Sequence, residues 1–258
     1  MTGPVWLILP TYNEAQNLEP IVEAVLPVLA TAAPEGHRVL IVDDSSPDGT
    51  GRIADRLAER HVPVEVLHRP VKAGLGPAYL AGFERALTDG AAYVIEMDAD
   101  FSHDPPDVAR LLDAARGGAD LVLGSRYVPG GGVTRWTATR RAVSRAGCWY
   151  ARRVLGSPVR DLTGGFKCFR RTTLEAIELE SVRSHGYAFQ VELTYRTLLR
   201  GLRVVEIPIV FRERRLGTSK MSWRIAVEAF WRVPGLRLSR RRGHRPRAGS
   251  ALSPPGRL

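Results

Sequence analysis

Between residues 5 and 123 the chain alternates short β-rich apolar runs with stretches of helical period, and this rhythm constrains its fold more than any other feature. Val5 to Leu9 precedes Leu18 to Leu29, Val39 to Val42 precedes Ile53 to Leu57, and Val62 to Leu67 precedes Ala78 to Leu87. Ala92 to Met97, a helix opening near Pro105-Pro106 and running to about Ala115, and Asp120 to Leu123 continue the series. Strands separated by helices pair in parallel, with the helices covering the sheet's faces. An α/β fold with a mostly parallel central sheet is therefore expected, and such sheets bind ligands beyond the carboxyl ends of their strands.

Past Gly124 the rhythm breaks. Pro129-Gly130-Gly131-Gly132 reads as a mobile loop, Arg140 to Leu155 as a basic amphipathic helix, Phe189 to Leu199 as another helix, and Val204 to Phe211 as the last strand. Ser222 to Leu238 sets Trp223, Ile225, Val227, Phe230, Trp231, Val233 and Leu236 among arginines, a pattern suited to an interfacial helix or to packing on the domain. Arginine, glycine, serine and proline dominate from Arg240 onward, where disorder is expected. The expected organisation is a catalytic domain over 1–221, an amphipathic membrane- or partner-facing helix over 222–239 and a basic tail over 240–258.

Charge divides the chain. Residues 1–120 carry 9 Lys+Arg against 19 Asp+Glu, whereas residues 121–258 carry 28 against 8. The basic half is suited to nucleic acid, anionic lipid headgroups or a phosphorylated substrate, and composition alone does not choose. Cys148 and Cys168 are the only cysteines and form no C-x-x-C pair, which points to a reducing cytosolic compartment. No basic residue precedes the apolar run Val5 to Leu9, so a signal peptide is not expected. No stretch approaches the roughly 20 apolar residues that span a bilayer.

The strand Ala92 to Met97 runs directly into Asp98-Ala99-Asp100. Alternate residues of an extended segment point the same way, so Asp98 and Asp100 can converge on one hard divalent cation that holds a diphosphate. The plainer alternative is two solvated turn aspartates. Pro10-Thr11-Tyr12-Asn13-Glu14 leaves the first strand at the same sheet edge, where a nucleobase could stack on Tyr12 and Glu14 serves either a helix start or a ligand. After the second strand comes Val42-Asp43-Asp44-Ser45-Ser46-Pro47-Asp48-Gly49-Thr50, with Asp43 or Asp44 expected on the nucleoside, Asp48-Gly49 as turn chemistry and Thr50 as a helix cap. Gly74-Leu75-Gly76 lacks the third glycine of a dinucleotide fingerprint, because Tyr79 stands there. His103 has no second histidine at metal-ligand spacing; zinc is not expected and a structural role is.

In order, P-T-Y-N-E, V-D-D-S-S-P-D-G-T, G-L-G-x-A-Y, D-A-D-x-S-H, G-S-R-Y, D-x-T-G-G-F, G-Y-x-F-Q-V-E and G-T-S-K-M resemble the dolichol or polyprenol phosphate mannosyltransferases of glycosyltransferase family 2, nearest to the actinobacterial polyprenol monophosphomannose synthases. The likeness covers about Val5 to Lys220. It implies a Rossmann-like, GT-A type nucleotide-sugar fold and transfer of mannose from GDP-mannose to polyprenyl phosphate with inversion. By it, Pro10, Tyr12, Glu14, Val42 and Asp44 would hold GDP, with Asp43 and Ala99 alongside, and Asp98, Asp100 and Ser102 would serve Mg2+ or Mn2+. Some relatives carry glutamine where this chain has Ser102, a shorter and weaker ligand. Arg126, Arg140 and Ser144 would grip the lipid phosphate, and Arg212 and Lys220 would close over the diphosphate. The protein would act in the cytoplasm, peripherally on the plasma membrane or through a membrane-spanning partner, with no nucleic acid. Rival readings are transfer of another sugar such as glucose or to another acceptor, a nucleic-acid-binding module, and a silent nucleotide-sugar sensor.

Overall fold

The computed structural model describes residues 3–184, 186–213 and 231–238. The expected rhythm is present: β1 (Val5–Thr11), α1 (Leu18–Ala32), β2 (His37–Asp43), α2 (Thr50–Arg60), β3 (Val64–His68), α3 (Leu75–Thr88), β4 (Tyr93–Glu96), α4 (Asp107–Arg116) and β5 (Leu121–Ser125). The second half adds a short strand β6 (Gly132–Val133), α5 (Ala138–Leu155), β7 (Lys167–Arg170), α6 (Arg171–Ala176), α7 (Gly186–Leu199), β8 (Val204–Pro208) and β9 (Val210–Phe211).

Seven strands form one sheet in the order β3-β2-β1-β4-β7-β5-β8, and β6 pairs with β9 apart from it. All neighbours in the large sheet are parallel except β7, which runs antiparallel between β4 and β5. Strand period sorts β1 into two cores. Val5, Leu7 and Leu9 face α1 and α4, while Trp6 and Ile8 face α3 and α7. Helix α3 approaches β1 so closely that a Cβ at Gly82 would lie 2.7 Å from Ile8 Cγ2.

β7 was not expected. Its residues Lys-Cys-Phe-Arg show no apolar alternation, yet Lys167 is fully buried. Its ammonium is tolerated because Glu96 of β4 stands directly opposite in the ladder. The single strand expected over Val204 to Phe211 is split after Pro208, and its second part pairs with β6 instead. At Thr50 the expected cap is reassigned: Gly49 is the N-cap, and Asp48 accepts the Thr50 N–H at 3.0 Å.

Residues 231–238 are helical, and Val233 and Leu236 pack against the core around α5 while Trp231 and Leu238 stay exposed. The remainder of the expected interfacial helix and the whole basic tail lie outside the described residues.

Candidate active site

The carboxyl ends of β1, β2, β4 and β5 open into one cleft of about 480 Å³. Three of these strands turn sharply just past their ends on non-glycine residues in the left-handed region: Asn13 (φ 55°), Ser45 (φ 56°) and Phe101 (φ 61°). Such backbone is sparsely populated and persists where the surroundings over-determine it, as at ligand sites.

One wall is acidic. Pro10, Tyr12 and Glu14 come from β1, Asp44 from β2, and Asp98, Ala99 and Asp100 from β4, and all line the cleft. Asp100 accepts the Ser102 N–H at 3.0 Å, and the Asp98 N–H donates to His103 Nδ1 at 3.2 Å. His103 stacks on Phe166 with centroids 4.6 Å apart. Burial pushes its pKa down to about 4, with Asp100 opposing and Arg126 assisting, so the imidazole is neutral at physiological pH and buttresses the turn. Asp44 is a tether: it pairs with Arg69 at 2.5 Å and accepts the N–H groups of Ala73 and Gly74 at 3.2 Å.

Beneath this wall lies a buried charged floor. Lys167 Nζ donates to the Gln190 carbonyl at 2.8 Å and also to Gln190 Oε1. Burial pushes the Lys167 ammonium down to about 8 and the Glu96 carboxyl up to about 7, and each is partly restored by the other's charge.

A second part of the lining is basic. Arg126 follows β5 and is held in a fork by Asp161: Nε to Oδ2 at 2.7 Å and Nη2 to Oδ1 at 2.6 Å, with a further bond from Nη2 to Thr163 at 2.9 Å. Asp161 is fully buried and Arg126 only 6% exposed. Burial disfavours both charges, but their mutual attraction outweighs it, lowering the Asp161 pKa and raising that of Arg126. The rings of Tyr127, Trp136 and Phe211 surround the guanidinium at 5.2–5.7 Å. Arg140, on the first turn of α5, lies 4.3 Å from the Trp136 centroid and pairs with Glu213 at 3.2 Å. Arg126, Trp136 and Arg140 all line the cleft.

Several expected site residues fall elsewhere. Val42 and Asp43 do not line the cleft. Asp43 is spent on Thr11 and Ser46, which fix the turn after β2. Ser102 is also outside the lining, its Oγ buried with no hydrogen-bond partner among the described residues. Ser144 accepts the Tyr127 hydroxyl at 2.7 Å, behind the wall. Arg212 is outside the lining too, paired with Asp104 at 2.8 Å, although its N–H bonds the Ser102 carbonyl and so joins the Asp98–Asp100 turn. Lys220 lies outside the described residues. Residues not singled out in the sequence include Lys72, Trp136 and Gln190, which line the cleft. Asp161 opens the D-x-T-G-G-F motif, but nothing local marks it as the partner of Arg126, 35 positions away.

The sequence pattern described as glycosyl transferase family 2 matches residues 6–178. A polyprenol monophosphomannose synthase of Mycolicibacterium smegmatis is 50% identical over 242 residues, covering 92% of this chain and 89% of the relative. An undecaprenyl-phosphate mannosyltransferase of Micrococcus luteus is 49% identical over 246 residues, covering 95% and 99% respectively. Among solved structures, glucosyl-3-phosphoglycerate synthase of Mycobacterium tuberculosis, crystallised with Mn2+, UDP-glucose and phosphoglyceric acid, superposes with a TM-score of 0.66 at 19% identity over 92% of this chain and 79% of that one. That likeness concerns the fold.

Proposed function

Because the chain belongs to glycosyl transferase family 2, we propose that it moves mannose from GDP-mannose to a polyprenyl phosphate with inversion, at the cytoplasmic face of the plasma membrane. The observation that carries this reading is the shared cleft, whose lining includes Asp98 and Asp100 as well as Arg126 and Arg140. Two anions can be held there by unlike means, close enough to react. Two relatives of about half identity are named for mannosyl transfer to, or synthesis of mannose on, a prenol phosphate.

A phosphate oxygen of the acceptor forms a bond to the anomeric carbon as the bond from that carbon to the diphosphate breaks, and GDP departs with the electron pair. The acceptor's second pKa is near ~6, so its oxygen arrives ionised and no strong base is required. Arg126 and Arg140 hold that phosphate. Arg126 is oriented by Asp161 through Nε and Nη2, which leaves Nη1 to meet the phosphate. Tyr12 stacks the base, and Glu14 and Asp44 shape the nucleoside wall. Arg212 would exchange Asp104 for a diphosphate oxygen, and Lys220, outside the described residues, is assigned the same partner.

The donor set of the acidic wall fits Mg2+ or Mn2+. Asp98 and Asp100 offer oxygen, while His103 Nδ1 is already taken by the Asp98 N–H. Among the described residues no three His, Cys, Asp or Glu side chains converge on a metal position. Asp98 and Asp100 would therefore hold the ion, with diphosphate and water completing its shell. When bound, such an ion offsets charge growing on the leaving diphosphate.

No helix among the described residues is long and apolar enough to cross a membrane. Helix α5 nevertheless exposes Val143 and Trp149, the latter 65% accessible, among Arg141, Arg145 and Arg153. That mixture suits peripheral docking on anionic lipid, directly or beside a membrane-spanning partner.

The test is to incubate the purified chain with GDP-mannose, UDP-glucose, a polyprenyl phosphate and Mg2+ or Mn2+, then identify the lipid product by mass spectrometry. Polyprenyl phosphomannose formed from GDP-mannose is expected. Product from UDP-glucose alone, or none, overturns the reading.

A further inference from the structure

We propose that Lys72 selects the nucleobase, reading the O6/N7 edge of guanine in the donor; this rests on the GDP-mannose reading above. Lys72 Nζ sits 3.8 Å from the centroid of the Tyr12 ring, the ring on which the base is proposed to stack, and both residues line the cleft. It forms no ion pair among the described residues. Lys72 is solvent-exposed, and a cation on the cleft lining that rests on an aromatic face is poised to exchange that contact for a better one, since an exposed cation–π contact is weak.

The loop that carries Lys72 is anchored at both ends. Arg69 N–H donates to the Asp43 carbonyl at 2.8 Å, the Arg69 side chain pairs with Asp44, and the Ala73 and Gly74 N–H groups donate to Asp44 Oδ2. Gly74 holds φ 96° and ψ 173°, a conformation reserved for glycine. This gives a purpose to the G-L-G motif that no dinucleotide fingerprint explained: it clamps the loop to the second strand's end. The lysine's flexible stem then swings from a fixed base.

A base entering against Tyr12 must displace the ammonium from the ring face to the rim of the base. Guanine offers two neighbouring acceptors there, O6 and N7, which is the edge that lysine and arginine read best. Adenine puts an amino donor in place of O6 and would repel the same group.

Titration calorimetry of the full chain with GDP, IDP, ADP and UDP, each with Mg2+, tests this. Hypoxanthine keeps O6 and N7 but lacks the exocyclic amine of guanine. Lys72→Met is expected to weaken GDP and IDP about tenfold while leaving ADP unchanged, and Lys72→Arg to keep the GDP preference. Equal weakening of all four nucleotides would make Lys72 a diphosphate contact and overturn the proposal, as would no loss at all. An unaltered chain that prefers UDP to GDP removes the donor reading and this inference together. One that prefers GDP, with Lys72→Met keeping the same GDP-to-ADP ratio, removes this inference alone. A thermal melt of each variant excludes misfolding as the cause.

Discussion

The two walls of the cleft are built differently. On the acidic wall Tyr12, Asp44, Asp98 and Asp100 each follow a strand by one to four positions, so the sheet edge itself places them. On the basic wall the strand end supplies only Arg126, and its orientation comes from Asp161 and Thr163 in a distant loop, with Arg140 delivered by a separate helix. One wall is positioned by topology, the other by a buried counter-ion. The comparison teaches that counting charge overstates what is available: the basic half is rich in arginine, but among the described residues its most deeply placed guanidinium, Arg126, is already in a fork with a carboxylate.

Substitutions on the two walls separate these devices. The largest effect is expected from Asp100→Ala. Turnover falls by about 10²–10³-fold because diphosphate charge loses its counterweight, while the melting temperature falls by only a few degrees, from loss of the bond to the Ser102 N–H. Steady-state kinetics beside a thermal melt checks both halves, and full activity with divalent ions chelated would break the assignment. Asp161→Ala reverses the pattern: it strands a buried guanidinium and costs about 3 kcal/mol of stability, read from denaturant unfolding. Unchanged stability would mean that Arg126 is not positioned by its counter-ion.

Arg140 is a milder case. Its pair with Glu213 is half exposed and contributes little to folding, so Arg140→Ala should raise KM for polyprenyl phosphate about tenfold and leave KM for GDP-mannose in place. Equal changes in both constants would dissolve the division of labour between the walls. The smallest expected effect is Trp149→Ala, which weakens flotation on anionic vesicles a few-fold without touching transfer to a short, water-soluble acceptor. Undiminished flotation would move the membrane contact away from α5.

The same contrast explains what could be read in the residues. Strand and helix periods announce β1 to β5 and their helices, and position after a strand announces Asp98 and Asp100, because these signals are local. β7 was hidden because its buried Lys167 looks like surface until Glu96 appears opposite it. Asp43 and Asp44 are adjacent acids, and only the folded turn after β2 shows that the first secures Thr11 and Ser46 while the second borders the cleft. Ser144 and Arg212 were assigned to anionic groups, yet Tyr127 and Asp104 engage them outside the cleft lining. Such pairings depend on long-range contacts, which no window of sequence contains.

The central claim is that one cleft holds two phosphate groups by opposite means. A crystal structure of the chain with GDP-mannose, Mg2+ and a short-chain prenyl phosphate tests it most directly. The account predicts the diphosphate bridged through the metal to Asp98 and Asp100, with the prenyl phosphate in hydrogen-bond reach of Arg126 and Arg140. A prenyl phosphate seated away from both arginines, or a diphosphate bound without either aspartate, would contradict it.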